Sequence, residues 1–312
     1  MLSNFLVETL KYMVKKYINT VKGIFYVIFS GRSSKDMFTG IFNLNLYKGG
    51  ILRKEIGINN LLKVRHLKIN GFINIHDLYF MQYMDNLEIL DLSNIIYHRK
   101  RIHEREKLKL RKNLLKRKKK LTTIHLPEFI SYIPDNFFYD CKSLQRVVIP
   151  ESVKIIGCNA FSGSGINEIV IPNSIERIEH GAFDNCKNLK SVIVEDGKKL
   201  ISWKGIQFYN CPDLKTVYIG RSFKEEDTLV SHQGIDELKL GRFVKNINIE
   251  FDFVNKVICE MKAPPSVKGN LNKINYIDIK HNYDLFWIHP LWNKILRKNN
   301  SKHSVNCLNI ES

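Results

Sequence analysis

The stretch from Ile133 to Ile156 decides the fold, and it reads IPDNFFYDCKSLQRVVIPESVKII. Its apolar residues Leu144, Val147 and Ile149 are three and then two positions apart, and a proline follows directly. The last two residues of such a triplet alternate along the chain, which places both on one face of a short strand. The proline has no N–H to donate, so it ends the strand and begins a turn.

The same spacing occurs ten times along the chain. The triplets are Val64/Leu67/Ile69, Leu87/Leu90/Leu92, Leu121/Ile124/Leu126, Leu144/Val147/Ile149, Ile166/Ile169/Ile171, Leu189/Val192/Val194, Leu214/Val217/Ile219, Ile235/Leu238/Leu240, Val254/Val257/Cys259 and Ile274/Ile277/Ile279. Successive triplets end 19 to 25 residues apart, except for one interval of 34 residues. One strand in each repeat of this length is typical of leucine-rich repeats, whose units bury their apolar faces only by stacking. The sequence therefore predicts an α/β repeat solenoid, a leucine-rich-repeat horseshoe or arc with ten short parallel strands, little regular helix in the repeats and an N-terminal helix.

The central repeats share further positions. Ile149-Pro150 is followed by Val153, Ile156 and Ala160-Phe161, and Ile171-Pro172 by Ile175, Ile178, Ala182-Phe183 and Cys186. Over residues 121–220 this resembles the BspA-like branch of leucine-rich-repeat proteins. The segment around residues 50–93, and Ala263-Pro-Pro265 with Tyr283 and Trp292, resemble the terminal segments of gut Bacteroidetes surface proteins. The resemblance implies a non-enzymatic cell-surface or secreted protein that recognises or adheres to a partner protein.

The formal net charge of +18 is concentrated in one segment. Residues 98–120 hold thirteen Lys and Arg against two Glu, and they fill the long interval between triplets. We therefore interpret them as a basic insertion between two rungs. A charge run of this kind is usually a solvated loop.

The alternative is that this segment binds an anionic partner. Its Leu spacing is consistent with a basic amphipathic helix that docks on nucleic acid, an anionic membrane or an acidic polysaccharide. No aromatic residue lies between the charges for base stacking. The residues of this alternative basic patch are Arg99, Lys100, Arg101, Lys116, Arg117, Lys118, Lys119 and Lys120.

No motif in the sequence indicates catalysis, a metal ion or a cofactor. There is no Gly-rich phosphate loop, no nucleophile elbow and no metalloprotease motif, and the ten His are scattered. Cys141, Cys186 and Cys211 each lie three residues before the Leu that begins a triplet, which indicates buried thiols in one shared position rather than disulfides. We expect no cofactor, no metal and no small-molecule substrate.

We expect five segments along the chain. They are an N-terminal amphipathic helix at 1–30, N-terminal repeats at 31–97, the basic insertion at 98–120, BspA-like repeats at 121–280, and a C-terminal cap and tail at 281–312. A stacked array exposes its apolar core at both ends, so its terminal segments are expected to cover it. The first segment is alternatively signal-like or a membrane-surface helix, which leaves the compartment open between cell surface and cytoplasm.

The binding surface is expected on the outward side of the stacked strands, at the positions just before the second and third apolar residue of each triplet. The first row is Arg146, Glu168, Ser191, Thr216 and Glu237, and the second row is Val148, Val170, Ile193, Tyr218 and Lys239. The second row is apolar in four consecutive rungs, which is typical of a protein-binding surface when charges flank it. Such residues also simply suit open sheet positions.

Overall fold

The computed structural model describes residues 33–97, 110–205, 207–231, 234–268, 274–280 and 292. The chain divides into two compact units, a first unit of residues 1–108 with 120–127 and a second unit of residues 109–119 with 128–312. The predicted N-terminal helix and most of the predicted C-terminal cap lie outside the described residues. No described helix is long and apolar enough to cross a membrane.

The first unit is built on one five-stranded sheet. Its strands are β1 (Ser34–Asp36), β2 (Ile41–Leu46), β3 (His66–Ile73), β4 (Ile89–Tyr97) and β5 (Thr123–His125), in that spatial order. β1 pairs with β2 antiparallel and every other pairing is parallel. The connections contain helix α1 (Leu52–Ile56), a 3-10 helix (Ile58–Lys63) and helix α2 (Ile75–Met81).

β2 is a rung that the triplet pattern did not reveal. Phe42 and Leu44 are buried and pair in register with Leu67 and Ile69 of β3. The position three residues before Phe42 is Thr39, which is polar, so the first member of an apolar triplet is missing. The strand nevertheless forms, because its two alternating apolar residues are enough to cover the edge of β3.

The second unit contains three sheets of parallel strands. Their strands are, in chain order, β6 (Tyr132–Ile133), β7 (Ile155–Ile156), β8 (Glu168–Ile171), β9 (Arg177–Ile178), β10 (Ser191–Val194), β11 (Ser202–Trp203), β12 (Thr216–Arg221), β13 (Leu229–Ser231), β14 (Ile235–Phe243), β15 (Asn246–Phe251), β16 (Val254–Cys259), β17 (Ser266–Lys268) and β18 (Ile274–Ile279). The six-stranded sheet has the order β8-β10-β12-β14-β16-β18, the four-stranded sheet β6-β7-β9-β11, and the three-stranded sheet β13-β15-β17. From β8 to β18, successive strands thus join the six-stranded sheet and one of the two smaller sheets in turn.

The predicted repeat solenoid of short parallel strands with few helices is confirmed. In nine of the ten triplets the second apolar residue lies on a strand of the first unit's sheet or of the six-stranded sheet. The exception is the triplet of Leu144, Val147 and Ile149, whose residues are buried although the segment has no strand assignment. The short β6, β7, β9 and β11, two residues each, were not predicted because so short a strand leaves no periodicity to detect.

A column of aromatic rings fills the second unit on the side of the turns. Phe138, Phe161, Phe183 and Phe208 stack with successive ring centroids 5.1, 5.4 and 5.8 Å apart. Each coil contributes one ring, so the repeat spacing of the sequence becomes a continuous stack in space. Aromatic burial of this extent is a large share of the apolar stabilisation of each coil.

Residues 110–119 correct the interpretation of the basic segment as an insertion. The backbone N–H groups of Asn113 and Arg117 donate to the carbonyls of Asp135 and Tyr139, at 3.1 and 2.7 Å. In the next coil the N–H groups 23 residues later make the equivalent bonds, from Asn136 to Cys158 at 2.9 Å and from Asp140 to Ser162 at 2.8 Å. These residues therefore form a coil of the second unit, here called the basic coil.

The predicted amphipathic helix is absent from this part of the chain. Residues 110–120 form turns, and Leu110, Leu114 and Leu115 are buried. Leu114 and Leu115 occupy the places that Phe137 and Phe138 hold one coil later. The coil went unrecognised because Leu and Lys replace the Phe and Cys that mark the repeat elsewhere. Residues 98–109 lie outside the described residues.

Candidate functional site

The parallel register of the six-stranded sheet aligns the predicted outward residues into two straight rows. Ser191 lies beside Glu168 on one side and Thr216 on the other, and Thr216 lies beside Glu237. In the second row the register aligns Val170, Ile193, Tyr218 and Lys239. Both rows continue beyond the predicted residues, the first to Lys256 and Tyr276 and the second to Ile258 and Asp278.

Arg146 and Val148 lie beside the first strand of this sheet, in the segment without strand assignment. The Asn167 N–H donates to the carbonyl of Gln145 at 3.1 Å, and Arg146 Nη2 is 3.9 Å from Glu168 Oε1. Val148 is 78% exposed, although its neighbours Val147 and Ile149 are buried. The alternation of buried and exposed side chains therefore extends one coil beyond β8.

The exposed apolar residues form a band across this face, here called the apolar row, of Val148, Val170, Ile193 and Tyr218. Val170 is 36% exposed, and Ile193 and Tyr218 are half-buried. The band ends at Lys239, whose Nζ lies 3.1 Å from Glu237 Oε1, and further along Lys256 Nζ lies 3.4 Å from Asp278 Oδ2. The flank of the apolar row thus carries charges of both signs.

Comparison with known proteins identifies the repeats. Residues 109–229 match, in six copies, the family model described as BspA type leucine rich repeat region. This part of the chain is a BspA-type leucine-rich-repeat region. The match begins at the basic coil, in agreement with the backbone hydrogen bonds that place residues 110–119 in the repeat stack.

Two solved structures are similar to the chain at low identity. One is a leucine-rich repeat protein from Bacteroides ovatus, with 16% identity, a TM-score of 0.41, and coverage of 80% of this chain and 77% of that protein. The other is a leucine rich cell surface protein from Faecalibacterium prausnitzii, with 14% identity, a TM-score of 0.28, and coverage of 73% and 82%. No functionally curated protein matches the chain.

Tyr218 has a second role in the leucine-rich-repeat region, beside its place in the apolar row. Its hydroxyl donates to Asp196 Oδ1 at 2.8 Å, and Arg242 Nε lies 3.7 Å from the other oxygen of Asp196. Burial, together with the hydrogen bond to Asp196, raises the pKa of Tyr218, so the phenol remains the donor. Tyr218 therefore fixes the loop that follows β10 over the ends of the next strands.

Gly241 makes room for this arrangement. A Cβ on Gly241 would lie 2.5 Å from the Tyr218 hydroxyl and 2.6 Å from Asp196 Oδ1. A Cβ on Gly220 would lie 2.5 Å from the backbone nitrogen of Asp196. The sequence analysis missed this loop contact. The sequence did carry a signal for it, because Gly220 and Gly241 each follow directly after the last apolar residue of their triplet.

Arg221 ties coils together beneath the same edge of the sheet. Its guanidinium is buried and donates to the carbonyls of Asn173 at 2.8 Å and Pro172 at 3.0 Å. Burial lowers the pKa of Arg221 to about 10, against the opposing effect of Glu195. Because its partners lie 48 and 49 residues earlier, the sequence offered no local signal for this contact.

The residues of the alternative basic patch do not lie together in one part of the described structure. Lys116, Arg117 and Lys119 lie on the basic coil at its surface, whereas Lys118 is only 3% exposed. Lys120 belongs to the first unit and its Nζ donates to Asn86 Oδ1 at 2.8 Å. Arg99, Lys100 and Arg101 lie outside the described residues. Among the described residues, no group of three or more His, Cys, Asp or Glu could hold a metal ion.

Proposed function

We propose that this leucine-rich-repeat protein is a non-enzymatic recognition protein, and that the apolar row with its charged flank binds a partner protein. The observation that carries the proposal is the register of the six-stranded sheet, which brings Val170, Ile193 and Tyr218 side by side in an open position. An exposed apolar strip flanked by charges is typical of protein interfaces, in which the apolar centre is desolvated and the rim stays polar.

The expected partner surface has an apolar strip flanked by charges of both signs. The flank carries two cations, Arg146 and Lys256, and two anions, Glu168 and Glu237. A partner surface of one charge sign would therefore meet a like charge at two of these four positions. Opposed charges at the rim set orientation and association rate more than affinity. We therefore expect binding that weakens only moderately with added salt.

The test removes the apolar character of the exposed end of the row. The double variant Val148→Glu and Val170→Glu places two carboxylates where both valines face solvent, so the fold and Tm are expected to stay unchanged. Tyr218 is unsuitable for this test, because its hydroxyl holds Asp196. Photocrosslinking from residue 170 in the native host, with residue 187 as the matched exposed control, identifies the protein that touches the row.

The partner protein that crosslinking identifies is then purified, and its affinity is measured for the native chain and for the double variant. The expected result is a loss of affinity of about a hundredfold, since burying unpaired charge in an interface core costs several kcal/mol. Equal affinity of the native chain and the double variant, or equal crosslinking from residues 170 and 187, would contradict the proposal.

A further inference from the structure

The basic coil departs from the other coils at a turn position with positive φ. This turn position lies two residues after the buried ring of each coil, and it is occupied by Asp140, Gly163, Asn185 and Asn210, with φ between 55° and 70°. These are the residue types that tolerate the left-handed region best. In the basic coil the equivalent residue is Arg117, with φ of 60°. An arginine is held there against its backbone preference.

The next residue departs from the repeat as well. The neighbouring position holds the small side chains of Cys141, Ser164, Cys186 and Cys211, all buried. In the basic coil it is Lys118, which is only 3% exposed. Lysine is among the residues least often buried, because its ammonium group is strongly hydrated. Two adjacent positions thus carry cations where the repeat itself favours small or turn-forming residues.

Apart from Lys118, the cations of the basic coil lie at its surface. Arg111, Lys112, Arg117 and Lys119 are exposed, and Lys116 Nζ lies 4.7 Å from the centre of the Tyr139 ring. Residues 110–119 include no Asp or Glu. The coil therefore presents five cations on one turn of backbone that is held in place by hydrogen bonds to the next coil.

The chemistry of this surface narrows the class of partner. The three leucines of the coil are buried, so it offers no apolar side chain for insertion into a membrane. It has no aromatic residue on which an unpaired base could stack. A duplex can be bound through its phosphates alone, and its charge density makes the release of counterions by clustered cations especially favourable.

We propose that the basic coil binds the phosphate backbone of double-stranded nucleic acid without reading its sequence. The coil lies at the start of the repeat stack and the apolar row lies on the six-stranded sheet, so this is a second binding function of the same unit. The departure at Arg117 places an exposed positive charge at a turn position that the other coils fill with Asp, Gly or Asn.

The experiment measures binding of the full chain to a short DNA duplex of mixed sequence over a series of salt concentrations. Five phosphate contacts would give a slope of log Kobs against log salt of about −4.5. The test variant replaces Arg111, Lys112, Lys116, Arg117 and Lys119 by Gln. The control variant replaces Lys187, Lys198, Lys199, Lys224 and Lys245, also exposed and in the second unit, by Gln.

The expected result is that the test variant loses most of the slope and more than about tenfold in affinity at low salt, while the control variant stays close to the native chain. The single variant Arg117→Asn is expected to raise Tm, because Asn accepts positive φ, and to lower the slope by about 1. Higher Tm together with weaker binding is a result that a purely structural role of Arg117 would not produce.

Two other anionic probes test the alternative classes of partner. A sulfated heparin fragment and vesicles of phosphatidylserine with phosphatidylcholine are titrated under the same conditions. Tighter binding to either probe than to the duplex would overturn the proposal in favour of a polysaccharide or a membrane. Unchanged duplex binding by the five-residue test variant, or equal losses in the test and control variants, would overturn it as well.

Discussion

At the scale of single residues, three buried thiols link successive coils of the leucine-rich-repeat region. Cys141 Sγ donates to the carbonyl of Leu115 at 3.1 Å, Cys186 to that of Phe161 at 3.1 Å, and Cys211 to that of Phe183 at 3.2 Å. The sequence analysis placed these cysteines in one shared buried position, and the structure shows the position as a contact with the preceding coil. The thiol fits because it is small, weakly polar and able to donate to a backbone carbonyl of the preceding coil.

The buried thiols of Cys141 and Cys259 predict a loss of stability in alkaline solution. Burial is the main cause that raises the pKa of Cys141 to about 12 from its ordinary value of 9.0, and burial likewise raises the pKa of Cys259 to about 12. Below pH 9 both the folded and the unfolded chain keep these protons, so there is no effect. Above pH 9 the unfolded chain releases them first, and the free energy of unfolding therefore falls as the pH rises from 9 toward 12.

The measurement is a series of urea unfolding curves between pH 7 and pH 11. The variant Cys141→Ser is expected to reduce the alkaline loss, since a hydroxyl does not ionise in this range, and Ser164 shows that the repeat accepts serine at this position. Burial also raises the pKa of Cys158, which is less buried, so Cys158→Ser is the comparison and is expected to reduce the alkaline loss by a smaller amount than Cys141→Ser. If the free energy of unfolding falls equally between pH 9 and pH 11 in the native chain and in Cys141→Ser, ionisation of Cys141 is not a cause of the alkaline loss.

At the scale of secondary-structure elements, helix α2 is fastened to the rest of the first unit through its own N-terminus. Asp77 is buried, and its Oδ2 accepts from the N–H groups of Gly50 at 2.6 Å and Asn74 at 2.9 Å. Its Oδ1 accepts from Leu52 N–H at 2.9 Å. One carboxylate thus closes the capping box of α2 and also holds the loop that leads into α1.

The variant Asp77→Ala is expected to destabilise the first unit by about 3 kcal/mol, because it leaves three N–H groups without their charged acceptor. Asp77→Asn retains one acceptor oxygen and is expected to lose less. Hydrogen exchange of the Gly50 and Leu52 amides reads the local effect, and urea unfolding reads the global one. Exchange rates unchanged in Asp77→Ala would show that the carboxylate does not hold this loop.

A ladder of asparagine side chains crosses the five-stranded sheet of the first unit. Asn70 Nδ2 donates to Asn45 Oδ1 at 2.9 Å, and Asn94 Nδ2 donates to Asn70 Oδ1 at 3.2 Å. The three residues are in register on β2, β3 and β4. The ladder shows that β2 belongs to the stack as a full rung, although its sequence lacks the apolar triplet.

At the scale of the whole molecule, the open end of a repeat stack has to be covered. Trp292 is buried, and its indole Nε1 donates to the carbonyl of Pro265 at 3.1 Å. The sequence analysis placed Trp292 in a closing segment, and its indole meets the Pro-Pro segment that carried the same resemblance. A polar or aromatic cover of this kind keeps the terminal apolar coil out of water.

Truncation of this side chain tests the cover. Trp292→Ala is expected to destabilise the second unit by about 3–5 kcal/mol, the usual range for a buried aromatic side chain, and Trp292→Phe by less. Differential scanning calorimetry measures the effect, and Asp77→Ala in the first unit is the comparison. If the second unit unfolds at the same temperature in Trp292→Ala and in the native chain, the Trp292 side chain does not stabilise the end of the stack.

The sequence alone determined the features that repeat. The triplet spacing predicted the parallel strands, and the alternation within each triplet predicted which residues, from Glu168 to Lys239, form the two outward rows. Such features are recoverable because each coil buries the same kinds of side chain against the next, so neighbouring contacts recur along the sequence as a period.

Only the tertiary structure decided the features that occur once. The contact of Tyr218 with Asp196 and the reach of Arg221 across 49 residues to Pro172 follow from how coils are offset in space. The triplet spacing also left out residues 110–119, which backbone hydrogen bonds place in the stack. A backbone hydrogen bond between coils does not depend on which side chains its residues carry. A coil can therefore stay in the stack after losing the Phe and Cys by which a sequence pattern would recognise it.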